Sequence, residues 1–155
     1  MLTRPLALLI VALAVLLAVP SASAQEPLNL STATEISCTF SVMSIGTWSK
    51  EGEVTSQVKT SKFALVYQAI STDDGSAEVK GMSGNFYITV RVVGGHLHLL
   101  HTDSGGPVYM TTVFNSPARK DTFKAAHSRH EFTSVQLPGF TSRPEQYVGE
   151  CELVK

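Results

Sequence analysis

The 155-residue chain carries 12 basic and 13 acidic side chains, for a formal net charge of −1, and only 16% of its residues are charged. That balance excludes the concentrated positive field that nucleic acid or an anionic membrane surface selects. With 43% hydrophobic residues the chain can build a core, and its length suits one domain and not two.

The first segment reads MLTRPLALLIVALAVLLAVPSASA: one basic residue, Arg4, an apolar run from Leu6 to Val19, then Pro20 and a small-residue end at Ala22-Ser23-Ala24. This order is that of a secretory signal peptide, and the run is shorter than the roughly 20 apolar residues of a membrane-spanning helix. Cleavage after Ala24 is expected. It removes Arg4 and no acid, leaving 11 basic against 13 acidic residues and a net charge of −2. No cysteine stands close behind the apolar run to take a lipid, so the mature chain is expected to be periplasmic or secreted, with no stable membrane insertion after cleavage. Residues 25–34 have no periodic pattern and read as a flexible leader to a domain over residues 35–155.

Short apolar stretches then alternate with turn chemistry: SKEGE, TDDGS, MSGN, VGGH, DSGGP, NSPARKD and the longer LPGFTSRPEQ. They predict strands over about 35–48, 53–71, 76–82, 86–93, 96–102, 107–114, 122–134 and 147–154. Short connections make neighbouring strands antiparallel. An all-β, eight-stranded antiparallel meander follows, which closes into a barrel to remove its exposed edges.

The two cysteines, Cys38 and Cys151, lie at opposite ends of the mature chain without a C-x-x-C spacing, so in an oxidising compartment they are read as a disulfide. If the first and last strands pair antiparallel, the two fall beside one another. Both lie on the expected inward sets: Ile36, Cys38, Phe40, Val42 and Trp48 on the first strand; Tyr147, Gly149, Cys151 and Leu153 on the last. A sandwich with the same pairing is the alternative; the barrel explains the disulfide more directly.

The stretch HLHLLH, His96 to His101, suggests a metal motif, and the two-residue turn Gly94-Gly95 tests the idea because it sets the hairpin register. Val93 then opposes His96 and Arg91 opposes His98. Phe86, Ile88, Val90 and Val92 with Leu97, Leu99 and His101 form the inward face; His96 and His98 point outward beside a cation, without the further ligands that zinc takes. No metal site is assigned. By the same period of two, Phe123, Ala125, His127 and Arg129 face inward. A buried guanidinium needs a partner, and the Trp48 indole face is the one expected.

Gly46-Thr47-Trp48 with Arg129 resembles the G-x-W and arginine signature of lipocalins and other calycin barrels, and the resemblance implies an interior cavity. A second resemblance spans most of the mature chain. Cys38-Thr39-Phe40, the run from Gly106 to Phe114, Phe123 to His130 and Pro144 to Cys151 together are similar to a group of small exported bacterial proteins ending in V-H-S-R-H and S-Q-Y-Y-G-x-C. Ala126 stands for that group's Val, and Glu145 and Val148 for its Ser and second Tyr. This likeness implies export and fold and brings no activity with it.

The chain has no G-x-S-x-G, H-E-x-x-H or phosphate loop, and Ser128 points to the opposite face from its neighbours His127 and Arg129. Neither a catalytic role nor a cofactor is expected. The function expected is a non-catalytic binding protein, with a small apolar or amphipathic ligand inside a barrel lined by Trp48, Phe86, Ile88, Val90, Leu97, Leu99, Met110 and Phe114. Trp48, His101, Met110, His127 and Arg129 are its candidate ligand-binding residues. Whether side chains fill the interior is open, since it depends on shear. The alternative is a protein-interaction or inhibitor module acting on a protein partner through the 137–146 loop, which carries Phe140 and Arg143.

Overall fold

Turn residues cut the chain where the sequence places them, and the pieces between them are strands. The computed structural model describes residues 29–49, 51–81, 84–104, 106–131 and 143–154. The signal segment 1–24, the leader up to residue 28 and residues 137–142 of the long loop lie outside the described residues. The strands are β1 (Ile36–Trp48), β2 (Val54–Ser71), β3 (Ser76–Gly81), β4 (Gly84–Val93), β5 (His96–Thr102), β6 (Val108–Pro117), β7 (Thr122–His130) and β8 (Glu145–Leu153). Each pairs antiparallel with the next, and β8 pairs with β1, so the sheet is a closed eight-stranded barrel. The Gly94-Gly95 turn sets the expected ladder, from Val93–His96 to Thr89–Leu100.

Cys38 and Cys151 are directly opposed where β1 meets β8, and they form a disulfide. The bridge therefore locks the seam that closes the barrel. Around it Ile36, Phe40, Leu97, Val113, Phe123 and Ala125 are buried. The strand directions place this packed half at the end where β1 begins and β8 finishes. The chain before β1 covers that end and is not a free tether from residue 29 onward. Asn29 caps a single 3-10 turn, Leu30–Thr32, whose Leu30 is 2% exposed. The amide of Ile70 donates to Thr34 (3.0 Å) and the Thr72 hydroxyl to the Ser31 carbonyl (2.9 Å). Leu30 docks because burying a leucine side chain contributes roughly 1.5–3 kcal/mol.

One irregularity changes which side chains face in. The ladders of β1 shift register between Phe40 and Val42 against both neighbours. An extra residue in a strand inverts the alternation beyond it, so Met43 and Ile45 turn toward the interior while Val42 turns out, 40% exposed. Val42 and Trp48 thus leave the inward set to which strict alternation assigns them.

Candidate functional site

Toward the other end, side chains from β2 to β7 surround a cavity of about 250 Å³. Its walls are mostly apolar: Phe63, Leu65, Val79, Phe86, Ile88 and Leu99. Tyr67, His101, Tyr109, His127 and Arg129 bring polar atoms to the same space, and Lys80 stands at its rim.

Strand alternation delivers two polar groupings to this interior. The deeper one crosses from β2 to β7 through β6. The Tyr67 and Thr111 hydroxyls share a hydrogen bond of 2.5 Å, and Thr111 Oγ1 lies 2.7 Å from Nδ1 of His127. His127 is 4% exposed and sits among the rings of Phe40, Phe63 and Tyr147, with centroids 5.2–5.8 Å away. Burial, with a smaller contribution from the Arg129 charge, lowers its pKa to about 4. Burial likewise raises the Tyr67 phenol.

The second grouping reaches the cavity through Arg129 and Tyr109. Arg129 reaches Glu145 and Glu131 at 3.4 Å each and lies over the Tyr109 ring, 5.6 Å from its centroid. The Tyr147 hydroxyl donates to Glu145 at 2.5 Å, and that of Tyr109 to Glu131 at 3.3 Å. Burial first and the neighbouring carboxylate second raise both phenols, Glu145 acting on Tyr147 and Glu131 on Tyr109. Glu145 is 4% exposed, so a buried carboxylate, its guanidinium and two phenols form one connected polar wall.

Of the five expected ligand-binding residues, the structure brings three together: His101, His127 and Arg129 all line the cavity. His101 lies between Phe86 and Tyr109, with ring centroids 5.6 Å from each. The other two are corrected. Trp48 is 55% exposed, on the outer face beyond the β1 bulge, and the ring under Arg129 belongs to Tyr109. Met110 is 37% exposed; its neighbour Tyr109 opposes inward His101 and Arg129, so alternation turns Met110 out. Phe114 is also outside, against His96 at 5.6 Å, while Val90 and Leu97 pack in the core. His96 and His98 face outward as their register requires. Nδ1 of His96 accepts from the Asn115 amide at 3.0 Å, and Nδ1 of His98 pairs with the Thr112 hydroxyl at 3.0 Å.

Tyr67, Tyr109, Thr111 and Glu145 are missing from the sequence-based candidates, and of these Glu145 left a readable signal. By sequence Glu145 falls in the 137–146 loop, yet Glu145 and Gln146 begin β8, and Glu145 stands directly opposite Arg129. The need of an inward arginine for a partner, carried across the β7–β8 ladder, was the signal that could have found it.

Neutral His127 links stability to pH. Its folded pKa of about 4 lies below its ordinary 6.5, so the unfolded chain takes up this proton first. The contribution is complete above pH 6.5 and is lost as pH falls from 6.5 toward 4, by about 3 kcal/mol. Urea midpoints measured across this window fall more steeply for the wild type than for His127→Phe, which has no imidazole to charge. Parallel curves would show that the imidazole protonates in the folded state without penalty.

Among the described residues no helix is long and apolar enough to cross a membrane. Comparison of the chain with family models, with curated proteins and with solved structures found no match in any of the three.

Proposed function

We propose that the protein is an exported, non-catalytic binding protein that holds a small apolar or amphipathic molecule in the open half of its barrel, in the periplasm or outside the cell. The observation that carries this reading is the cavity itself: about 250 Å³ of space inside a barrel whose other half is packed. Small-molecule sites are concave and mainly apolar, with a few polar groups that orient the ligand, and eight strands enclose an interior wide enough for one small ligand. The volume lies just below the roughly 300–1,000 Å³ range of such sites, which favours a compact ligand. The disulfide suits an oxidising compartment, and the N-terminal signal pattern supplies the route.

Titration of the oxidised mature protein with butylbenzene, followed by native mass spectrometry and thermal unfolding, tests the reading. A one-to-one adduct is expected, with a Tm that rises with the logarithm of ligand concentration and corresponds to roughly 2.7 kcal/mol of stabilisation at a hundredfold excess over Kd. Leu65→Trp, which fills the space from β2, abolishes both. A flat Tm with no adduct, and no mass released when the purified protein is denatured, would transfer the assignment to protein interaction.

A further inference from the structure

The buried chain from Tyr67 through Thr111 to His127 has two hydrogen bonds and three possible donor arrangements. In one, Thr111 accepts from both neighbours and leaves its own hydrogen and the bare Nε2 over. In another, also with the proton on Nδ1, His127 would donate to Thr111 and Thr111 to Tyr67. The Tyr67 hydroxyl hydrogen and the bare Nε2 would both then lack partners among the described residues. The opposite direction leaves only one group over, the Nε2–H of His127. Buried polar groups are satisfied wherever the fold allows it, and a phenol is a better donor than an aliphatic hydroxyl. The arrangement that leaves fewest groups over is therefore the one in which Tyr67 donates to Thr111 and Thr111 donates to Nδ1.

The ring's other nitrogen has no hydrogen-bond partner among the described residues, and His127 lines the cavity. An apolar ligand that displaces water from this donor leaves it unpaired, which is unfavourable, and a ligand that accepts from it avoids the deficit. The charges beside the cavity define what kind of ligand this is. Arg129 already faces Glu145 and Glu131, and exposed Lys80 at the rim brings the group to formal neutrality, so no surplus charge selects an ion. A cation is further disfavoured by the N–H it would meet.

We infer that Thr111 fixes His127 as the Nε2–H tautomer, and that the cavity takes an uncharged, mainly apolar molecule with a hydrogen-bond acceptor of the carbonyl or ether kind that receives this proton. The assignment of ligand class rests on the binding-cavity reading above. His127 touches the ligand; Thr111 is a positioning residue that acts through it.

Three probes of similar size separate the alternatives: butylbenzene, propiophenone and 3-phenylpropanoate, titrated into the oxidised protein at pH 7 by calorimetry. Propiophenone binds roughly fivefold tighter than butylbenzene, the effect of one added neutral hydrogen bond, and both bind tighter than the carboxylate. In His127→Phe the preference for the ketone over butylbenzene disappears, whatever the absolute affinity of the hydrocarbon. The ¹⁵N spectrum of labelled histidine in the free protein shows His127 as the Nε2–H tautomer, and Thr111→Val shifts it toward Nδ1–H and weakens ketone binding. Equal affinity for ketone and hydrocarbon, or tightest binding of the carboxylate, overturns the ligand class. An Nδ1–H tautomer in the wild type overturns the orientation whatever binds, and failure of all three probes in a protein with the expected tautomer overturns the binding-cavity reading instead.

Discussion

Replacing Cys38 and Cys151 together by alanine is expected to lower stability by about 5 kcal/mol. The bridge spans a sequence separation of 113 residues, and on the chain-entropy account a cross-link closing about 100 residues contributes about 4.7 kcal/mol by restricting the unfolded chain. Domains of this size are stable by about 5–15 kcal/mol in total, so the double variant stands near the edge of folding. The disulfide also joins directly opposed residues of β1 and β8, the most distant strand pair in sequence and the one that closes the barrel. Urea unfolding of the oxidised wild type, the reduced wild type and the double variant measures the effect, with a midpoint lowered by roughly 2 M or more. A loss below about 1 kcal/mol would show that the β1–β8 hydrogen bonds and the core hold the seam without the bridge.

Gly149→Ala is expected to destabilise the same seam by about 3 kcal/mol for a different reason. Gly149 opposes Phe40 on β1, at the point where the ladder shifts register. A Cβ added there would be driven into the Thr39 carbonyl oxygen, and would lie 2.6 Å from Cα of Phe40 and 2.8 Å from the Thr39 carbonyl carbon. These are backbone atoms of the neighbouring strand and cannot rotate away, so relief requires the strands to part, and overpacking of this kind typically costs about 1–3 kcal/mol or more. Gly46→Ala is the control: an added Cβ meets nothing within 4 Å there, and its unfolding midpoint should match the wild type. Because Gly149 is two residues from Cys151 on the same strand, its effect should not add simply to that of the cysteine variant. Equal midpoints for the two glycine variants would mean that β1 and β8 separate at little cost.

Both results concern closure, and closure positions the candidate site. Arg129 and Glu145 meet only because β7 and β8 pair in this register. The parity that brings Arg129 in also brings in His127, two residues before it, to meet Thr111 on β6. Half of the site thus follows from alternation along a single strand. The other half depends on which residues its neighbours oppose to it.

Much of the fold is legible in the sequence where a short turn or a clear alternation constrains the chain. Gly94-Gly95 determined the register of β4 and β5, and so the outward direction of His96 and His98 and the inward direction of His101. The run from Phe123 to Arg129 has inward and outward residues in strict order and was read correctly. The run from Val108 to Phe114 was not, because apolar residues occupy both of its faces and the preceding connection is too long to determine a register. Its pattern alone therefore puts Met110 and Phe114 inside, whereas the ladder with β5 and β7 turns Tyr109 and Thr111 inward instead.

By itself the sequence determined the eight strands, their meander order, the pairing of Cys38 with Cys151 and the inward direction of His127 and Arg129. These rest on local turn chemistry and on the period-two geometry of an extended chain. Only the tertiary structure decided that Trp48 faces out, that Glu145 is the buried partner of Arg129 and that the barrel is packed at one end and hollow at the other. A bulge is an interaction between strands, a salt bridge across a ladder requires its register, and a cavity is the volume that side chains from six strands leave unfilled. Each arises from distant residues brought together, which no local pattern records.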